Sequence, residues 1–292
     1  MVAEISPAVA GVARERRRPR DLSRLPAYAL LCAGAAMYLL PFLWMVTTAL
    51  KTADEVLAFP PDFLPSSFAW HNFPEAWTQL PFTRFLLNTV LVTVLAVAGT
   101  LVSSIVPAYA FARLPARGRP VLFAAMIGTM MIPAEITLVP QFLLFKELGM
   151  VNTYWPLILP AWFGYAYYIF LFRQFFRTIP QELVDAARID GASHARILWS
   201  VMLPLAKPAI AAVTVFSVIG NWNNLLGPLI YLRDQDAYTL ALGLSLFQGE
   251  HATAYHHMMA VSTLTVMPIV VLFFLAQKAF VRGITLTGLG GR

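Results

Sequence analysis

The chain has 292 residues, of which 59% are hydrophobic and only 12% are charged. Soluble globular domains carry about twice that share of charged residues, so the composition excludes an ordinary soluble protein and favours a membrane protein. The chain has one cysteine, Cys32, which excludes an internal disulfide and a cysteine-rich metal site.

Six apolar windows are long enough to cross a bilayer core, which requires roughly 17 to 25 helical residues. The windows are continuously apolar rather than alternating, and lipid tolerates no unpaired backbone, so helices are expected and a β-barrel is not. The sequence therefore predicts an all-α, polytopic membrane protein with six transmembrane helices. The windows lie near residues 27–50, 85–112, 121–145, 156–176, 209–231 and 258–281.

Lysines and arginines are distributed unequally about these windows. Of the 21 basic residues, all but Lys51, Arg84, Lys146 and Arg233 fall on one side. Basic residues near span ends favour the cytoplasm, so both termini are expected there. This orientation predicts a basic cytoplasmic segment over 1–26, a transmembrane domain over 27–282 with a cytoplasmic loop over 177–208, and a cytoplasmic tail over 283–292. It also accounts for the net charge of +6 without a nucleic-acid partner.

The third window is interrupted by the stretch GTMMIPAEITLVPQF. Pro133 and Pro140 remove backbone donors, so this span is expected to be bent or broken. Glu135 lies well inside the window, where a carboxylate needs a polar cavity or a partner. Pro133 and Glu135 are therefore candidates for a translocation pathway or gate. A carboxyl group that only ties helices together is the alternative.

The fifth window ends in GNWNNLLGPLIY, which places Asn221, Trp222, Asn223 and Asn224 in an apolar context. Asparagines in lipid must bond to another helix or to water in a cavity. These residues are either contacts between helices or part of the pathway. Amide and indole groups together also suit a sugar, which presents hydroxyls and an apolar ring face.

The polar insert ELVDAARIDGASHARILWSVMLPLAKP occupies residues 182–208, between two apolar windows. Thr178 and Gln181 have capping-box spacing, which predicts a first helix over about 180–189. Asp190 and Gly191 are expected to end it, because glycine takes the left-handed terminating conformation without strain.

A second helix is expected to follow in the same insert, capped by Ser193 and running to Leu203 before Pro204 and Pro208 stop it. The result is a knuckle of two short helices within the loop 177–208, exposed to the cytoplasm. The knuckle is either a docking element or an amphipathic loop on the bilayer.

The run DAARIDGA, followed by Leu203 and Pro204, resembles the EAA loop of ABC importer permeases. In that family the loop fits into a cleft of the ATP-hydrolysing subunit. Carried over by position, Asp185, Ala186 and Ala187 match the E-A-A segment. The resemblance implies an ATPase interface at Glu182, Asp185, Ala186, Ala187, Asp190, Gly191, Ala192, Leu203 and Pro204.

Further segments resemble the carbohydrate importer permeases of the maltose and glycerol-3-phosphate type: FLLNTVLV, PAYAFARL, MIPAEITLVPQF, GNWNNLLGPLIYL and QKAFVRGITLTG. The chain departs from that pattern at Asn224, where the family usually has an acidic residue, and in its GLGGR ending.

The resemblance implies a permease subunit in a bacterial or archaeal plasma membrane, surrounded by membrane lipid. Its implied partners are a second homologous permease, an ABC ATPase dimer that uses ATP and Mg, and an extracytoplasmic solute-binding protein. This chain is expected to bind no cofactor and to catalyse no reaction.

The sequence gives less support to other classes of function. None of the four lysines stands in a GxxxxGK[ST] loop, so the chain is not expected to hydrolyse ATP. An intramembrane enzyme would need a nucleophile motif such as GxSxG or metal-ligand spacing, which the sequence lacks. A stand-alone secondary transporter or channel that uses Glu135 is the main alternative to an ATP-driven importer.

Overall fold

The structure is a computed structural model that describes residues 25–248 and 254–288. The predicted basic segment 1–26 lies outside the described residues except for its last two positions, and residues 289–292 of the predicted tail also lie outside them.

The described residues contain helices and no strand, which confirms the all-α prediction. The α-helices are α1 (Leu25–Ala49), α2 (Ala53–Leu57), α3 (Asn72–Gln79), α4 (Phe82–Arg113), α5 (Arg119–Thr129), α6 (Ala134–Glu147), α7 (Trp155–Ile158), α8 (Ala166–Thr178), α9 (Gln181–Ile189), α10 (His194–Ile197), α11 (Leu203–Leu205), α12 (Lys207–Trp222), α13 (Leu226–Tyr231), α14 (Leu240–Ser245) and α15 (Tyr255–Gly288). Short 3-10 segments cover Leu159–Phe163 and Gln235–Ala237, and a π-helical segment covers Leu198–Met202.

Four helical stretches are each long and apolar enough to cross a membrane: α1, α4, Trp155–Thr178 and α15 up to Gln277. Two bent pairs also qualify, namely α5 with α6 at 90° and His194–Leu205 with α12 at 79°. If each bent pair is counted as one span, the described residues contain six spans, the number that the sequence predicts. In the second pair only α12 lies in a predicted window, because His194–Leu205 belongs to the loop 177–208.

The third span is broken where its prolines predict a break. Helix α5 ends at Thr129 and α6 begins at Ala134, so Pro133 directly precedes the second half. Pro140 lies inside α6, which continues past it.

Two other windows are less regular than the continuous helices expected from their hydropathy. The window 209–231 is divided, because α12 ends at Trp222 and α13 begins only at Leu226. Asn224 accepts a hydrogen bond from the backbone N–H of Gly227 at 3.0 Å, and such side-chain bonds compete with a continuous helix. The window 156–176 is interrupted at Gly164, whose φ of +86° favours glycine.

The chain divides into one compact unit that ends at Trp44 and a second that begins at Met45. In the second unit, two buried clusters lie at opposite ends of α4. The first contains Ala108 and Tyr109 from α4, with side chains of α8, α12 and the knuckle. The second contains Phe82 and Phe85 from the beginning of α4, with side chains of α14 and α15.

Helix α4 also packs closely against the 3-10 segment before α8. A Cβ added at Gly99 would lie 2.5 Å from the indole ring of Trp162, so only glycine fits there. Small residues allow such close approach between membrane helices, where van der Waals packing replaces the hydrophobic effect. Helix α4 is therefore held along its length by its neighbours.

Candidate functional site

The first helix of the knuckle is α9, which presents one buried position to the protein. Val184 is fully buried and belongs to the cluster formed with α4 and α8. Glu182, Asp185 and Ala186 are exposed, and Leu183 is 44% exposed. The helix thus attaches by Val184 and leaves charged and small apolar side chains accessible.

The turn after α9 has the geometry that the sequence predicts. Gly191 has a φ of +77°, the left-handed conformation. Its N–H donates to the carbonyl of Arg188 at 2.9 Å, and the N–H of Ala192 donates to the carbonyl of Ala187 at 2.9 Å. These two bonds form a Schellman motif and satisfy carbonyls that the helix end would leave unpaired.

The second helix begins at the predicted cap but ends later than predicted. The Ser193 hydroxyl accepts a hydrogen bond from the N–H of Arg196 at 3.3 Å. The helical stretch then runs through Pro204 to Leu205, although Pro204 was expected to stop it. The π-helical turn over Leu198–Met202 widens the backbone before Pro204, which relieves the usual clash of proline with the preceding turn.

This second helix buries more side chains than the first. Ile197, Leu198 and Met202 are buried in the same cluster as Val184. Trp199, between them, is 71% exposed. Both helices of the knuckle are therefore attached to one core and expose a continuous outer surface.

The predicted capping box at the start of α9 is wrong. The Thr178 hydroxyl donates to the carbonyl of Phe175 within its own helix at 2.7 Å, and Pro180 occupies the cap position. The Gln181 side chain accepts a hydrogen bond from Arg113 of α4 instead. A partner 68 residues away carries no local sequence signal.

The structure brings the predicted interface residues together on the knuckle, with different exposures. Those exposed are Glu182, Asp185, Ala186, Asp190, Gly191 and Pro204. Those partly buried against the cluster are Ala187, Ala192 and Leu203. An ionic contact of 4.0 Å joins Arg188 to Asp185 on the exposed side.

Tyr109 and Arg113 are contacts of the knuckle that the sequence reading missed. The Tyr109 hydroxyl lies 3.2 Å from Nδ1 of His194, at the start of the second helix. Arg113 contacts the beginning of the first helix through Gln181. Both residues lie near the end of α4, and their stretch PAYAFARL stands out only through the family resemblance.

The predicted pathway residues lie at two separate places. Pro133 and Glu135 are exposed at the corner between α5 and α6. Asn221 and Trp222 lie at the end of α12, where the Asn221 amide donates to the carbonyl of Ser217 at 2.8 Å. Within the part of the chain that the structure describes, no hydrogen bond or ion pair joins Glu135 to the asparagines.

The asparagine group, which comprises residues 221–224, has side chains with several different hydrogen-bond partners. The Trp222 indole is buried and donates to the carbonyl of Thr265 on α15 at 3.1 Å. The exposed Asn223 amide donates to the carbonyl of Ile219 at 2.9 Å, and Asn224 caps the turn at Gly227. Trp222 is thus a contact between helices, whereas Asn223 remains accessible. Their assignment to the pathway stays a prediction.

A polar cleft of about 650 Å³ lies at the end of the molecule opposite the knuckle. Arg84 pairs with Asp236 at 2.9 Å across it, and the Asn152 amide donates to the carboxylate of Asp234 at 2.6 Å. Burial raises the pKa of the Tyr154 phenol, and the positive charge of Arg84 opposes that shift. The cleft joins segments that are distant in sequence, so the sequence reading did not find it.

Residues 99–286 match the family described as the binding-protein-dependent transport system inner membrane component. The chain belongs to this family. The match includes the knuckle, both halves of the bent third span and the asparagine group. The permease therefore carries its candidate interface and pathway residues within the part that defines the family.

Named relatives cover most of the permease. It is 36% identical to the arabinooligosaccharides transport system permease protein AraQ of Halalkalibacterium halodurans, over 78% of this chain and 82% of that protein. It is 34% identical to the sn-glycerol-3-phosphate transport system permease protein UgpE of Pectobacterium atrosepticum, over 92% of this chain and 98% of that protein. The melibiose/raffinose/stachyose import permease protein MelC of Bacillus subtilis is 32% identical, over 86% and 91%.

The fold of the permease is similar to a chain in the crystal structure of a bacterial ABC transporter involved in the import of the acidic polysaccharide alginate. The TM-score is 0.78 with 24% sequence identity, and the alignment covers 90% of this chain and 98% of that one. At this identity the similarity concerns the fold.

The described residues hold no group of three or more His, Cys, Asp or Glu side chains placed to bind a metal ion.

Proposed function

We propose that this chain is the membrane-spanning subunit of an ATP-driven ABC importer for a sugar or sugar-like solute. The named relatives are permease proteins of transport systems for arabinooligosaccharides, for melibiose, raffinose and stachyose, and for sn-glycerol 3-phosphate. Polyhydroxylated solutes are common to that set, which supports the solute class. The apolar spans and the family's inner-membrane description support a bacterial or archaeal plasma membrane.

The observation that carries the proposal is the attachment of the knuckle to the membrane-spanning helices. Val184, Ile197 and Met202 are fully buried in a core shared with α4, α8 and α12. On the other side, the knuckle presents acidic and small side chains to solvent. A rigid element that is attached to several spans and exposed on its far side is suited to transmit a partner's movement to those spans.

The partner that fits this surface is a separate ATPase dimer, which binds and hydrolyses ATP with Mg while this chain binds no cofactor. A second, homologous permease completes the membrane pathway, and an extracytoplasmic binding protein delivers the solute. Closure of the ATPases displaces the knuckle, so that access alternates between the two sides of the membrane. ATP can drive this change because the ATPases contact the two states differently.

The basic residues support an orientation with both termini and the knuckle in the cytoplasm. The cleft of Arg84 and Asp236 then faces the extracytoplasmic side. The alternative of a stand-alone secondary transporter that uses Glu135 gains no support from the named relatives.

The experiment is affinity purification of the tagged chain from gently solubilised native membranes, followed by mass spectrometry. We expect an ATPase and a second permease to co-purify. Right-side-out membrane vesicles loaded with ATP and supplied with the binding protein are expected to take up radiolabelled raffinose or sn-glycerol 3-phosphate, and ATP depletion is expected to stop that uptake. Recovery of the chain alone, with uptake that does not depend on ATP, would reject the proposal.

A further inference from the structure

Arg113, the last residue of α4, contacts both the end of α8 and the base of the knuckle. Its guanidinium donates to the carbonyl of Phe176 at 2.6 Å and also to the carbonyl of Ile179. A third hydrogen bond goes to the side-chain oxygen of Gln181, the first residue of α9. One side chain thus binds the end of α8 and the beginning of the knuckle.

The chemistry of this position suits an arginine better than a lysine. The last carbonyls of a helix have no partner within the helix, and the helix end carries partial negative charge. The planar guanidinium of Arg113 can supply several donors in fixed directions, whereas a lysine offers a single point charge. Because α8 ends at Thr178, the carbonyls of Phe176 and Ile179 are acceptors that α8 itself does not satisfy.

A further hydrogen bond links Gln181 to the exposed face of the knuckle. The Gln181 amide donates to the Asp185 carboxylate at 3.0 Å. Asp185 is 53% exposed on the surface proposed to meet the ATPase. Arg113, Gln181 and Asp185 therefore form a continuous polar link from a membrane span to that surface.

Helix α4 connects this link to the other end of the molecule. It has 32 residues, and at about 1.5 Å per residue a helix of that size is roughly 48 Å long. Near its beginning, the Asn88 amide donates to the carbonyls of Asp236 and Tyr238, each at 2.9 Å. The same helix thus holds the knuckle at one end and a wall of the polar cleft at the other.

We infer that Arg113 is a positioning residue that couples the knuckle to α4, and that α4 carries the knuckle's displacement to the cleft lined by Asp234 and Asp236. This inference rests on the proposed function, because it requires an ATPase that moves the knuckle. It assigns to Arg113 a role in transmission rather than in binding the partner or the solute.

The test follows ATP-driven movement at the cleft and needs no knowledge of the solute. Gln235 is exposed at the cleft rim, so a Gln235→Cys variant in a Cys32→Ala background reports the movement through its rate of labelling by a maleimide. In the complex purified with the second permease and the ATPase, ATP with vanadate is expected to change that labelling rate. Arg113→Gln is expected to reduce the change by about fivefold or more, while the ATPase still co-purifies and still hydrolyses ATP.

Arg117→Gln is the matched control, since Arg117 is an exposed arginine at the same end of α4. It should leave the ATP-driven change at its wild-type size, and Arg113→Lys should give an intermediate value. The inference is overturned if the ATP-driven change in labelling rate keeps its wild-type size in Arg113→Gln. It is also overturned if ATP does not alter labelling of Gln235→Cys in an otherwise wild-type complex that contains the ATPase. If no ATPase co-purifies with the wild-type chain, the proposed function fails instead.

A double-mutant cycle separates transmission from a merely structural role. If Arg113 acts through Asp185, adding Asp185→Asn to Arg113→Gln should not weaken the response further. If the two substitutions reduce the response by factors that multiply, the proposed link between Arg113 and Asp185 is contradicted. If Arg113→Gln yields no intact complex, Gln181→Met removes the link and keeps the contacts of Arg113 with α8. An unchanged response in that variant would also overturn the inference.

Discussion

At the scale of single residues, Gly191 is a position where the backbone conformation leaves little choice of residue. Its φ of +77° costs most residues about 1 to 2 kcal/mol, and its N–H donates to the carbonyl of Arg188. Proline can neither adopt this φ nor donate, so Gly191→Pro must rearrange the turn between the two helices of the knuckle. We expect Gly191→Pro to insert normally into the membrane and to lose transport and most of the co-purifying ATPase.

Gly118 provides a control for backbone strain alone. It has a φ of +81°, and a Cβ at either glycine would meet no atom within 4 Å. Gly118→Pro therefore introduces a comparable conflict in the loop before α5, outside the knuckle. Equal loss of the ATPase in both variants, measured in the same pull-down, would show that general destabilisation rather than the knuckle is responsible.

The residues that sequence reading found are those whose role is local. Gly191 as a helix terminator and Ser193 as a cap follow from backbone requirements within a few residues, and both are present. Thr178 was misassigned because its hydroxyl donates to the carbonyl of Phe175 within α8 instead of capping α9. Arg113 was missed because its partners are decided by packing of α4 against α8. Local propensity carries no information about such a contact.

At the scale of elements, the same division applies to the spans. Apolar length predicted where helices occur, and Pro133 predicted the break in the third span. The division of the fifth window depends on side-chain bonds such as that of Asn224 to Gly227, and the length of the second knuckle helix depends on a π-helical turn. Neither feature has a distinct hydropathy pattern, so the sequence predicts neither the division of the fifth window nor the extension of the second knuckle helix to Leu205.

In the loop between α1 and α3, the carboxylate of Glu55 accepts hydrogen bonds from two separate segments. The Ser66 side chain and the backbone N–H groups of Thr52 and Ser66 donate to Glu55, and these bonds lower its pKa. A pKa lower in the folded than in the unfolded loop stabilises the loop above the unfolded value. That contribution is lost as the pH falls through the folded value.

We therefore expect cleavage of the loop by pepsin to increase as the pH falls below the ordinary glutamate value of about 4.3 towards about 3. In Glu55→Gln the loop should already be cleaved by pepsin at the upper end of this pH range, and cleavage should increase little as the pH falls. Asp54→Asn, at the exposed neighbouring position, corrects for the pH dependence of pepsin itself. If Asp54→Asn and Glu55→Gln behave alike at every pH, the Glu55 bonds do not order the loop.

At the scale of the whole molecule, the two ends differ in chemistry. Among the described residues, one end carries the knuckle and most of the arginines, and the other carries the cleft and the loop of Glu55. An importer needs this asymmetry, because its ATPases and its solute supply lie on opposite sides of the membrane. The orientation is therefore a necessary condition of the proposed function, and it can be measured directly.

The single cysteine makes that measurement simple. In a Cys32→Ala background, Ser67→Cys places a thiol in the exposed loop between α2 and α3, and Ala195→Cys places one on the exposed side of the knuckle. In intact spheroplasts, a membrane-impermeant maleimide should label Ser67→Cys at once and Ala195→Cys only after permeabilisation. The reverse pattern would put the knuckle outside, where no ATP is available. The proposed coupling to an ATPase would then be impossible even if the fold and the family were as described.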